Sequence, residues 1–254
     1  MLHLQHSRFW QPQPRYGLFL RWLVIAGLIG FGAWVAWDLH LLQRLILADQ
    51  TRIGLLITVI FVIGSLHCAI RSLFLSRQQE ALETIIRIAT DTAPTIRKGR
   101  LLFGGQELPP SLAEAYLAGA IAKQASSAAN SPPTDQQLLA QVMAEQARGQ
   151  HEAGWFVAGS LIKLGLLGTV IGFVLMLAPV TTLESFDQSQ VQGLLKQMTV
   201  GMGVALNTTL IGLVCTLLLG IQYLLVDRAA DRLVAQTVHF TESLLAGWSS
   251  TGEE

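Results

Sequence analysis

The chain has 254 residues, 51% hydrophobic and 13% charged, with 17 basic side chains balanced by 17 acidic ones. Soluble domains carry about 25% charged residues, so the deficit points to a membrane before any residue is placed. Zero net charge offers nucleic acid no basic surface, and the two cysteines, Cys68 and Cys215, each inside an apolar run, define neither a disulfide framework nor a metal site.

Spanning a hydrocarbon core of ~30 Å takes about 20 mostly apolar residues. The first candidate, 22–37, has only 16 residues between Arg21 and Asp38. It is long enough if Arg21 reaches back to the headgroups, and Trp22, Trp34 and Trp37 sit near its ends as an interfacial belt would place them. Arg8 and Arg15 precede it, but no small-x-small cleavage pattern follows, so it reads as a retained helix. A short connection, 38–52, leads to the second candidate, 53–70, an 18-residue run without Lys, Arg, Asp or Glu.

An insert of roughly eighty residues comes next, and its pattern is helical. In "RQQEALETIIRIAT" (77–90), Leu82, Ile85, Ile86 and Ala89 share a face. Pro94, Gly99, Gly104, Gly105, Pro109 and Pro110 interrupt the pattern over 91–110. Helix resumes at 111–125, with Ser111 as N-cap and Glu114 completing a capping box. A linker, "SSAANSPPTD" (126–135), precedes a proline-free stretch from Asp135 to Pro179, expected to be one long helix entering the membrane.

That helix carries the third candidate span, 164–183, between Lys163 and Glu184; the fourth, 197–226, runs 30 residues between Lys196 and Asp227. Beyond it, Val226, Ala230, Leu233, Thr237, Phe240 and Leu244 alternate steps of four and three, the spacing of a helical seam. The last helix is therefore expected to continue past the membrane. The fold class is an all-α integral membrane protein with four transmembrane helices, the third and fourth extended into a cytoplasmic helical domain. The divisions are 1–75, 76–152, 153–226 and 227–254: first hairpin, insert, second hairpin and tail.

Orientation follows from Lys and Arg in the connections. Arg71 and Arg77 follow the second span, and Arg228 and Arg232 follow the fourth, which puts both termini and the insert in the cytoplasm. No phosphate loop, metal cluster or carboxylate–histidine constellation appears, so no catalytic residue is assigned and the chain is not read as an enzyme.

The second hairpin holds the informative polar and small residues. In the third span Gly165, Thr169, Gly172 and Met176 form a stripe, and Gly168 pairs with Gly172 four residues on. In the fourth, Gly201, Ala205, Thr208, Gly212 and Cys215 form a small-residue stripe, with Met202, Thr209 and Thr216 on an adjacent face. For the glycines and Ala205 the preferred reading is close helix packing. For Thr169, Thr208, Thr209 and Thr216, spacing alone leaves packing and a polar path both open. Neither span has an Asp, Glu or His at its core, so if the chain moves protons, the titrating carboxylate must come from another chain. Lys163 lies at the expected cytoplasmic mouth, where it can snorkel, and His67 reads as a helix–helix hydrogen-bonding residue.

"LGLLGTVIG" (164–172) resembles the signature of the MotA/TolQ/ExbB proton-channel family, and "ALNTTLIGLV" (205–214) is similar to that family's Ala-Leu-x-x-Thr-x-x-Gly. Matched position by position, the resemblance places the two pore threonines at Thr169 and Thr209. Leu161 and Ile162 stand where the family often has Ala-Pro, Lys163 follows directly, and the first two spans align with no family motif. The resemblance implies a homopentamer around a single-span partner dimer similar to MotB, ExbD or TolR, whose aspartate titrates. Such an assembly passes protons, in preference to sodium, across a bacterial inner membrane and turns the gradient into rotation or mechanical work without a cofactor. The alternative is a scaffolding membrane protein whose small residues only pack helices.

Overall fold

A computed structural model of the chain describes residues 17–48, 51–91, 94–97, 100–103, 106–126, 134–149, 151–182 and 188–251. The elements run α1 (Gly17–Asp38), α2 (Leu41–Ala48), α3 (Ile53–Asp91), β1 (Pro94–Arg97), β2 (Arg100–Phe103), β3 (Gln106–Glu107), α4 (Leu112–Ser126), α5 (Thr134–Arg148), α6 (His151–Leu177) and α7 (Gln188–Thr251). A 3-10 turn, Ala178–Thr182, follows α6. Arg8, Arg15 and most of the expected linker 126–135 lie outside the described residues.

Helices α1, α3, α6 and α7 each hold a stretch long and apolar enough to cross a membrane. The physical reason is that hydrocarbon cannot hydrogen-bond a backbone, so a spanning segment must pair its own N–H and C=O groups. The surface agrees: Leu28 is 71% exposed, Val24 68% and Leu206 67%, an apolar face suited to lipid rather than water.

The chain divides into two compact units, one of 22–69 and 151–224, the other of 1–21, 70–150 and 225–254. In the first, α3 meets α7 at Gly64, where a β-carbon would stand 2.9 Å from Leu219 Cδ2. The connection 38–52 holds a short helix, α2, where the sequence predicts only a connection. Its terminal carbonyls have no intrahelical partner. Asn207 Nδ2 of α7 donates to one of them, Leu45 O, at 2.7 Å.

In the second unit, α3 runs without a break from the second span through the expected 77–90 helix. Leu82, Ile85 and Ala89 are buried along it, and Ile86 half-buried. Helix α4 begins with Ser111 as its N-cap, Glu114 N donating to Ser111 Oγ at 3.1 Å. A further first-turn donor, Leu112 N, is satisfied by Gln78 Oε1 of α3 at 2.9 Å. Burial and the Glu242 carboxylate together hold the Tyr116 phenol of α4 above its ordinary value. Along α7, Val226, Ala230, Leu233, Thr237 and Phe240 are buried as the seam predicts, after which the buried position moves from Leu244 to Leu245. Thr237 settles its hydroxyl on Leu233 O, 2.8 Å away.

Two features differ from the sequence expectation. The interruption at 91–110 is a small antiparallel meander, β1-β2-β3, in register Pro94↔Phe103 and Leu102↔Glu107. Proline and glycine exclude helix there, and the intervening Thr, Ile, Leu and Phe side chains favour strand. Phe103 is 1% exposed and anchors the sheet. The expected continuous helix from Asp135 ends at Gly149, whose N–H closes on Glu145 O at 2.6 Å, and α6 begins afresh at His151. Arg148 followed by glycine is a helix stop that a search for proline alone passes over.

The end of α5 is held by two arginines of unequal worth. Buried Arg71 of α3 donates to Ala147 O at 2.7 Å, placing a cation at the negative end of the helix. Arg148 pairs with Asp231 of α7, but both side chains are about half exposed, and such pairs contribute at most ~1 kcal/mol. Arg71→Met is therefore expected to cost about 1.5–3 kcal/mol, the value of a hydrogen bond from a charged group. Asp231→Asn should stay within ~1 kcal/mol. Thermal unfolding of the two purified variants checks the order, and equal losses would contradict it.

Candidate functional site

The antiparallel pair α6–α7 in the first unit is built on residues without bulk. A β-carbon at Gly172 would stand 2.6 Å from Ala205 N and 2.8 Å from Ala205 Cα. One at Gly201 would stand 2.6 Å from Met176 N and 2.9 Å from Gly172 O. At Gly165 the nearest atoms are Thr208 O at 3.2 Å and Gly212 Cα at 3.3 Å, and at Gly212 they are Gly165 Cα and Leu161 O, both 3.0 Å. At Gly168 a β-carbon would enter the side chain of Thr208. The backbones thus touch along the whole seam, the contact that small residues allow in a membrane.

Beside this seam lie two threonine hydroxyls. Thr169 Oγ1 donates to Leu166 O, 2.7 Å away, within its own helix. Thr209 Oγ1 lies 3.1 Å from Ala205 O, 3.3 Å from Gly165 O across the seam and 3.4 Å from Thr169 Oγ1. Both residues are half-buried. With the Thr169 proton committed to a carbonyl, its lone pairs face outward as acceptors, while the Thr209 proton has three acceptors to choose from. Neither hydroxyl changes charge at any ordinary pH, so each can donate or accept a hydrogen bond without gaining or losing a proton.

The other two threonines are placed differently. Thr208 is fully buried against Gly168, its hydroxyl 3.0 Å from Val204 O. Thr208 thus packs the seam and, unlike Thr169 and Thr209, presents no exposed surface in its own subunit. Thr216 donates across the seam to Ala158 O at 3.2 Å, tying α7 to α6 two turns from Thr209. Lys163 is exposed on α6, its Nζ 5.9 Å from the centre of the Phe156 ring, so the ammonium reaches back toward the helix start.

A second polar group, of which the sequence singles out only Trp22 and His67, ties α1, α3 and α7 together. Gln222 Oε1 accepts from Ser65 Oγ at 2.8 Å and from Trp22 Nε1 at 3.0 Å. His67 Nδ1 lies 2.9 Å from the Tyr223 hydroxyl. The Tyr223 ring rests so closely on Gly154 of α6 that a β-carbon there would fall within it. Gln222, Ser65 and Asn207 leave no mark on a charge-free run, because amides and hydroxyls carry no charge to interrupt it. Their signal was the amide itself: in lipid, a buried carboxamide needs a partner on another helix.

A family model described as the MotA/TolQ/ExbB proton channel family matches residues 111–238, half of the chain, from α4 into the last part of α7. No curated protein and no solved structure matches the chain.

Proposed function

The chain belongs to the MotA/TolQ/ExbB proton channel family, and we propose that it is the pentameric pore and motor subunit of a complex with an Asp-bearing, single-span partner dimer. The observation that carries this reading is the Thr169–Thr209 pair, two half-buried hydroxyls 3.4 Å apart beside a seam of glycine. A carboxylate entering a low-dielectric path favours its protonated form. A hydroxyl accepts from that form and donates to the ionised one, so a ring of such pairs smooths the partner's passage between them. Each proton crossing 100 mV releases about 2.3 kcal/mol, and several per cycle suffice to turn one component against the other. The Lys and Arg distribution supports cytoplasmic termini in a bacterial inner membrane, and Lys163 marks the cytoplasmic mouth.

The test is proton flux in vesicles holding the chain and such a partner, read with an internal pH dye. Flux is expected only when both chains are present, and it should vanish when the partner's aspartate becomes asparagine. A stable two-component complex that passes no protons would overturn the reading. A scaffold, which the glycine seam alone would also serve, predicts a stable assembly without the partner.

A further inference from the structure

The His67–Tyr223 contact has a property that helix packing does not require. The phenol oxygen lies 2.9 Å from His67 Nδ1 and 3.4 Å from Gly64 O. A phenol carries one proton, so two hydrogen-bond patterns fit the same heavy-atom positions. In one, the phenol donates to a neutral Nδ1. In the other, Nδ1–H donates to the phenol oxygen and the phenol proton turns to Gly64 O. Tyr223 is 1% exposed, wedged on Gly154 and beside Trp155, with ring centres 6.3 Å apart, so the ring is held while rotation about the C–O bond can redirect its proton.

We infer that His67 and Tyr223 form a proton-binding site on this chain, in which proton uptake at the imidazole reverses their hydrogen bond and sends the phenol proton to the Gly64 carbonyl. The balance is one proton in and no electrons moved. The neutral ring carries its hydrogen on Nε2, the incoming proton occupies Nδ1, and the phenol hydrogen is only redirected. An ionisable group within a spanning segment marks a functional site by default, and histidine is the side chain that titrates in the physiological range. This one sits against α7, the helix that also carries Thr209. Tyr223 of α7 faces His67, and Trp155 of α6 lies against the same phenol ring. The titratable and charged groups next along these elements are Arg71 on α3, Asp227 on α7, His151 and Glu152 on α6, and Arg21 beside Trp22 on α1. The inference does not depend on the pore reading, since it concerns this chain without a partner.

The experiment is nitrogen NMR of the full-length chain, with histidine labelled in the ring and the protein held in a membrane mimic, recorded from pH 5 to 8. His67 is assigned by the signal lost in His67→Gln, or in His67→Asn if the first variant does not fold. The expected result is an Nε2–H tautomer at high pH, both nitrogens protonated at low pH, and a tautomer preference that falls about fivefold in Tyr223→Phe, the worth of one hydrogen bond. Thr169→Val and Thr209→Val should leave these signals unchanged. No proton uptake at His67 across the range would overturn the inference. So would a tautomer and titration that Tyr223→Phe leaves as they were, which is what a merely structural contact predicts.

Discussion

Thr169→Val and Thr209→Val are each expected to cut partner-dependent proton flux tenfold or more, with the double variant below detection. Valine keeps the volume and branching of threonine and removes only the hydroxyl. Each hydroxyl offered to a charged carrier is worth about 1.5–3 kcal/mol, and 1.4 kcal/mol is a factor of ten. The fold should survive: Thr169 donates within its own helix, and Thr209, which loses an acceptor 3.4 Å away, keeps Ala205 O and Gly165 O. Thr209→Ser, which restores the oxygen, should restore flux. Thr208→Val is the sharpest control: one position away, but buried against Gly168, it should conduct as the unaltered chain does. Both single variants conducting normally at normal assembly would remove Thr169 and Thr209 from the path.

The second large effect is on the hairpin itself. Gly172→Ala places a carbon 2.6 Å from Ala205 N and 2.8 Å from Ala205 Cα. Backbone atoms cannot swing aside as a side chain end can, so the two helices must separate. Overpacking of this kind costs about 1–3 kcal/mol, occasionally more, and Gly172→Leu should prevent the pair from closing. Gly159→Ala on the same helix meets no atom within 4 Å and should be neutral, or gain up to ~1 kcal/mol because alanine favours helix. The readout is alkylation of Cys68 and Cys215, both buried thiols outside any disulfide. Faster labelling of Cys215 in Gly172→Ala reports the opened seam, and labelling at the unaltered rate would mean the helices do not meet there as described.

Much of this was legible along the chain because a bilayer leaves few solutions. Runs free of charge, bounded by Arg21, Arg52, Arg71, Lys163, Lys196 and Asp227, marked the four spans, and the step-of-four-and-three pattern from Val226 predicted the buried face of α7 as far as Phe240. Ser111 and Glu114 announced the start of α4 through an interaction within one turn. Each of these signals is local or periodic, so no knowledge of neighbouring helices was needed. The small sheet at 94–107 and the stop at Gly149 were less legible. Proline and glycine say where helix ends, but pairing between short strands depends on register and burial that the segment does not carry alone.

The separation of Thr208 from Thr209 belongs to tertiary structure. Both fall on the same turn of the same apolar helix, and composition treats them alike. A helix places neighbours about 100° apart, and the phase of α7 against α6 turned Thr208 onto Gly168 and left Thr209 beside Thr169. The same phase set Gln222 against Ser65 and Trp22, and Tyr223 against His67 and Gly154. The sequence by itself determined a membrane protein of four spans with glycine-rich third and fourth helices, because hydrophobicity and spacing are properties of the chain. Which hydroxyl is packed and which is presented was decided only when glycine let two backbones meet, since that choice depends on the partner helix and on nothing within the segment.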